Sequence, residues 1–214
     1  GFREHAKTIP LLVGTVFGEF SFRPSPFRKD SLTDAETDAI LSREYGEHAE
    51  KVKALFQKAY PGKNALDVLD VDRVFRQPSK SLAKLHARGG KAPSYLYLFT
   101  LNFPYQYGKA AWHCSDIPFI FHNTDKVEVC NIDGVSGELE KQIFEAAMQF
   151  ARFGNPNHDG LAAWPPVTPE EEPTMIFDRV CEVRHNFDDE LLAFLDEILP
   201  PFDLMALHAR DVQH

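Results

Sequence analysis

Residues 8–13, Thr-Ile-Pro-Leu-Leu-Val, form a continuous apolar run that meets Gly14. A strand without a solvent face must be covered on both sides, the situation of a parallel sheet between helices. A second such segment, Ser94-Tyr95-Leu96-Tyr97-Leu98-Phe99-Thr100-Leu101, is rich in aromatic and apolar side chains and precedes a loop with Pro104 and Gly108. Between them the pattern turns helical. Thr33-Asp34-Ala35-Glu36 reads as a capping box, Gly46 interrupts the helix it opens, and residues 47–60 place Val52, Leu55, Phe56 and Ala59 at helical spacing before Pro61-Gly62. Asp67 to Phe75 reads as a helix halted by Pro78, and a further helix over 79–88 ends in Gly89-Gly90. Beyond the second strand, Glu138 to Phe153 carries Leu139, Ile143, Ala146, Ala147 and Phe150 on one side, and Gly154 caps it. Gly134-Val135-Ser136-Gly137 is the turn and N-cap before that helix. Trp164 to Pro169 is a rigid extended loop, and Thr174 to Val183 is two short strands or one bent one. Asp188 or Asp189 caps a last helix through Leu199, stopped by Pro200-Pro201. The order of elements is that of an α/β fold.

Length and charge narrow the function classes. A chain of 214 residues with 18 phenylalanines can bury a sizeable core as one domain. A formal charge of −9 argues against sequence-independent nucleic-acid binding, which needs a basic face. No stretch approaches the ~18 consecutive apolar residues of a transmembrane helix. Cys114, Cys130 and Cys181 lack Cys-x-x-Cys spacing and read as reduced, buried small hydrophobes. The nine histidines form no His-Glu-x-x-His or other metal-spaced cluster, and no phosphate-cradling glycine loop is present, so no metal or organic cofactor is expected. Glu170-Glu171-Glu172 and Asp188-Asp189-Glu190 read as solvated loops or helix caps.

Two side chains stand where a strand hands the chain to a loop, the place α/β enzymes put chemistry. His113 follows Gly108, Ala110 and Ala111, small residues that let a loop pack closely, and precedes the apolar anchor Ile117-Pro118-Phe119. An imidazole in that position can move protons near neutral pH. Glu19 lies between Phe17 and Phe20, after Gly14 and Gly18, a glycine pair whose flexibility would let the carboxylate bend back over the sheet and accept the Nδ1 proton of a histidine. Each residue has a plainer reading: a histidine satisfied by backbone groups, a carboxylate in a surface turn.

Together these segments resemble the C-terminal portion of a type-B carboxylesterase, in the cholinesterase-like branch of the α/β-hydrolases. The resemblance is carried by Pro10 to Phe20 around the acid, by Tyr95 to Phe99, and by Ala110-Ala111-Trp112-His113 with Asp116 to Phe121. Phe150 to Asn157 and Trp164-Pro165 add to it, so that it covers almost the whole chain. The order acid then histidine is also the family's. The resemblance implies the C-terminal half of an α/β-hydrolase sheet with flanking helices, residues 1–214 being part of one catalytic domain with a helical lid-like insertion at about 34–90. For that insertion the plain reading is core-covering amphipathic helix.

By the same resemblance, Glu19 orients, His113 is general base and acid, and Asp116 anchors the loop, unless it is only a helix N-cap. Trp112 and the Phe103–Tyr107 loop line a gorge for a small-molecule ester substrate, although packing would account for them too. The family's Gly-x-Ser-x-Gly elbow is absent, and Gly134-Val135-Ser136-Gly137 continues into Glu138. The expectation is therefore a chain that supplies acid and base but not the nucleophile, has negligible esterase activity alone, and pairs through open strand edges with a missing N-terminal part or with itself. The rival expectation is a catalytically inactive, adhesion-type member of the same fold.

Overall fold

The computed structural model describes residues 1–21, 24 and 27–202. Four strands form one sheet in the order β1-β2-β3-β4: β1 (Leu11–Val16), β2 (Ser94–Phe99), β3 (Pro173–Phe177) and β4 (Glu182–His185). The first three run parallel, with Val16 opposite Phe99 and Phe99 opposite Phe177, and β4 closes antiparallel on β3. Thr174–Val183 is thus two strands. The first strand starts later than its apolar run: Ala6–Thr8 is a 3₁₀ turn, Pro10 has no N–H to give, and Leu11 N donates the first ladder bond, to Pro93 O (3.0 Å). Gly14 does not end the strand but lies within it. Its cross-strand partner is Tyr97, whose ring covers the glycine so closely that a Cβ there would stand 1.8 Å from the ring. Among the described residues β1 is a sheet edge, with Leu11 to Val13 half-buried and Gly14 exposed.

Among the described residues six α-helices flank the sheet: α1 (Asp34–Tyr45), α2 (Ala49–Ala59), α3 (Arg76–Ala87), α4 (Ile117–Ile120), α5 (Ser136–Phe153) and α6 (Asp189–Ile198). The Thr33–Glu36 capping box is fully formed. The buried face of α2 is Val52, Leu55, Phe56 and Ala59, and it shares one core with Leu41, Leu66, Val16, Phe17, Leu98 and Phe99. The helical stretch after residue 34 is therefore built into the core of the sheet. No helix among the described residues is long and apolar enough to cross a membrane.

Three expectations about helix ends fail for identifiable reasons. Residues Ala65–Asp70 form a 3₁₀ helix, and α3 starts at Arg76 with Pro78 in its first turn. Proline costs nothing there because that N–H has no partner within the helix, and the Asp72 carboxylate takes the N–H groups of Val74, Phe75 and Arg76 (2.9, 3.0 and 2.7 Å). Ser136 belongs to α5 itself, and its hydroxyl ties the preceding loop together, donating to Cys130 O (2.5 Å) and accepting from Ile132 N (2.9 Å). Asp188 stands at the N-cap of α6 without capping it.

The Asp188 carboxylate is instead fully buried and accepts from Arg76 Nε (2.8 Å) and Lys80 Nζ (2.8 Å), while Glu172, also fully buried, lies 2.6 Å from Lys80 Nζ. Neither acidic run is simply solvated, because α3 brings two cations to them. Although burial alone would raise it, Arg76 and Lys80 hold the Asp188 carboxyl down at about 2. Of the cysteines, Cys130 is buried and Cys181 partly so, but Cys114 is exposed.

Candidate active site

The two strands that carry the site are neighbours, so the loops leaving their C-terminal ends must meet. Past β1 the ladder continues into the loop: Phe17 N donates to Phe99 O (2.9 Å), and Gly18 N donates to Ala111 O (2.9 Å). Gly18 and Trp112 form an isolated parallel bridge. A Cβ at Gly18 would lie 2.8 Å from Ala111 O and 3.0 Å from Asp70 O. Close approach of two backbones is thus what requires glycine here, and the flexibility expected of Gly14 and Gly18 is not what the structure uses.

This contact brings Glu19 to His113. The Glu19 carboxylate is buried; Oε1 accepts from Val16 N (2.8 Å) and Oε2 lies 2.5 Å from His113 Nδ1. The imidazole is half exposed, with its side chain at 50%. A buried carboxylate on Nδ1 fixes the ring's tautomer with Nδ1 protonated and stabilises the charged ring. His113 is followed by Cys114 at φ 68°, and Ser115 N returns to Trp112 O (2.9 Å), so the chain turns sharply after the imidazole.

Tyr97 of β2, seated on Gly14, donates its hydroxyl to Asp116 Oδ2 (2.8 Å). Asp116 occupies the N-cap position of α4 but takes none of its N–H groups, and its bond to Tyr97 ties the histidine loop to β2. Burial raises its carboxyl above the ordinary value. On the other side, Ser21 Oγ donates to Asp70 Oδ1 (2.7 Å) and accepts from Lys109 Nζ (2.8 Å), and Lys29 Nζ bridges Asp67 (2.7 Å) and Asp70 (3.1 Å). Burial works against the Lys29 charge, but Asp67 and Asp70 outweigh it and raise that ammonium; burial lowers Lys109. This chain of bonds ties the acid turn, the histidine loop and residues 67–70 into one frame.

Trp112 is partly exposed and packs on Phe103 (4.8 Å between centroids) and Tyr105 (6.5 Å). Phe103 has no exposed surface and packs under Trp112 and against Phe99. Asp72, Phe75 and Tyr97 also contribute to the site, although the sequence assigns them no part in it. Asp72 N donates to Phe17 O (2.8 Å), and the Phe75 ring faces His113. Their only signal is position: each is silent until α3 and β2 are packed beside the acid turn. One carboxylate group, Glu172, Asp188 and Asp189, has a metal-like arrangement, but the Lys80 ammonium pairs with all three.

Comparison with known proteins finds relatives for this chain. The profile of the Carboxylesterase family matches residues 3–195. The para-nitrobenzyl esterase of Bacillus subtilis (strain 168) is 27% identical over 191 residues, covering 86% of this chain and 37% of its own length. Among solved structures, an esterase from anaerobic Clostridium hathewayi, described as able to hydrolyse aliphatic aromatic polyesters, superposes with a TM-score of 0.90 at 52% identity. That match covers 93% of this chain and 40% of the esterase. The Geobacillus stearothermophilus carboxylesterase superposes at 0.59 with 26% identity, over 88% and 40% of the two chains. The chain spans about two-fifths of the length of these relatives.

Proposed function

The chain belongs to the carboxylesterase family, and from that premise we propose that it supplies the acid and base of a Ser-Glu-His ester hydrolase. The observation that carries the reading is Glu19 Oε2 at 2.5 Å from His113 Nδ1. In the proposed cycle, a serine from polypeptide outside these 214 residues attacks the carbonyl carbon of a small carboxylic ester. His113 Nε2 accepts the serine proton and passes it to the departing alkoxide, which leaves as the alcohol. Glu19, accepting from Nδ1–H, stabilises the imidazolium formed between these two steps. Water then attacks the acyl-enzyme, again giving its proton to His113, and the acid is released as the proton returns to serine.

The sequence contains no Gly-x-Ser-x-Gly elbow, which supports an external nucleophile. On this reading the open edge of β1 is where the sheet continues into the polypeptide that carries the serine and the oxyanion donors. Loss of a single oxyanion donor costs roughly 10²–10³ in rate, so the isolated chain is expected to show negligible turnover. Esters with aromatic groups are the first substrates to try, given what the Clostridium hathewayi relative hydrolyses. The test is hydrolysis of a 4-nitrophenyl ester by this chain alone and by a protein that also carries the nucleophile region. Turnover and labelling by a serine-directed fluorophosphonate are expected only in the second, with turnover abolished by His113→Ala. A folded, nucleophile-bearing protein that never labels would favour an inactive relative of the enzymes.

A further inference from the structure

Glu19 meets His113 at Nδ1, and a hydrogen bond at that atom does not by itself fix the imidazole plane, because the second side-chain torsion of histidine is broad. The structure supplies a second constraint. The ring of Phe75 lies nearly parallel to the imidazole, at 6.2 Å between centroids and 21° between planes. Phe20, next to Glu19 in sequence, stacks on the other ring of the pair, Phe75, at 5.5 Å and 14°, and Phe202 packs on Phe20 at 4.6 Å. These separations lie within the range of favourable aromatic pairing. The result is a column, Phe202–Phe20–Phe75–His113, that reaches the imidazole.

Phe75 is not there to fill the core. It is 42% exposed, whereas the next residue in the chain, Arg76, is fully buried. Its backbone is nonetheless tightly fixed. Phe75 N donates to the Asp72 carboxylate (3.0 Å), and Asp72 N donates to Phe17 O (2.8 Å), two residues before Glu19. The first turn of α3 is thereby locked to the acid turn, and the Phe75 ring is delivered against the face of His113.

We infer that Phe75 is a positioning residue: its ring sets the plane of the His113 imidazole while Glu19 sets its Nδ1, and the two constraints together aim Nε2. The inference rests on the reading of His113 as the base. A helical segment that otherwise only covers the core acquires through this contact a direct part in the site.

The test uses this chain, without need of a nucleophile. Nitrogen-15 NMR follows the His113 Nδ1–H resonance, assigned by its loss in His113→Ala. Wild type is expected to show a low-field Nδ1–H that exchanges slowly with water and disappears in Glu19→Gln. Phe75→Ala should speed that exchange about ten-fold or broaden the signal away, whereas Phe75→Tyr, which keeps a flat ring, should restore it. Phe75→Leu keeps bulk without a flat face and serves if the alanine variant does not fold; it too should exchange faster. In the nucleophile-bearing protein, Phe75→Ala should lower kcat about ten-fold, in keeping with the steep cost of ångström-scale misplacement, with KM within two-fold. A slowly exchanging resonance unchanged in folded Phe75→Ala or Phe75→Leu overturns the inference and leaves the Glu19–His113 pair standing. Absence of any protected Nδ1–H in wild type defeats the reading of the pair itself.

Discussion

Gly18→Ala tests whether the acid and histidine loops are held at a fixed separation by direct backbone contact. The new Cβ would stand 2.8 Å from Ala111 O, 3.0 Å from Asp70 O and 3.1 Å from Ser21 Cβ. Two of these three atoms are backbone and cannot rotate away. To reach ordinary contact at 3.4 Å, the Ala111 carbonyl must recede by about 0.6 Å. That same carbonyl accepts from Gly18 N at 2.9 Å, so the movement lengthens the hydrogen bond joining the loops. Overpacking of this kind costs about 1–3 kcal/mol. For a chain of this size each kcal/mol lowers Tm by about 2–4 °C, so thermal unfolding should fall by about 2–12 °C. Because Glu19 and His113 ride on the two loops, their 2.5 Å contact should stretch too, and the Nδ1–H signal should weaken while the fold persists. An unchanged Tm together with an unchanged signal would refute the claim that this glycine sets the separation.

Other perturbations act on the frame around the pair. Tyr97→Phe leaves the buried Asp116 carboxylate without its hydroxyl donor, which should cost about 1–3 kcal/mol in urea unfolding and loosen the histidine loop. Asp188 links stability to pH: its carboxyl is held at about 2 in the fold against 3.8 ordinarily. A depressed carboxylate stabilises fully above its unfolded value and loses that contribution as pH falls through its folded value. About 2 kcal/mol should therefore disappear between about pH 4 and pH 2. Asp188→Asn should remove that step and, by leaving Arg76 and Lys80 with less counter-charge, lower stability at neutral pH by about 3–5 kcal/mol.

What could be read from the sequence was whatever a local pattern encodes. The Thr33–Glu36 box, the apolar face of α2 and the Gly154 stop of α5 need only neighbours within a few residues, and all three stand in the structure. Glu19 and His113 stand out by strand ends and by a family likeness, although 94 residues separate them. What stayed hidden depends on partners distant in sequence. Glu172 and Asp188 read as solvated because Arg76 and Lys80 lie roughly a hundred residues away along the chain. Gly14 and Gly18 read as flexible because neither the Tyr97 ring nor the Ala111 carbonyl is visible from their own segment. Pro78 read as a stop because nothing in the pattern announces that α3 begins at Arg76, two residues before it. Phe75 had no signal at all until the imidazole was placed beside it.

The most direct test of the account is a double-mutant cycle of Glu19→Gln and His113→Ala on kcat/KM in the nucleophile-bearing protein. If the two residues act as one unit, each single change is severely damaging and the double variant is scarcely worse than His113→Ala alone. Independent losses that multiply in the double variant, or a Glu19→Gln enzyme with wild-type kcat/KM, would contradict it.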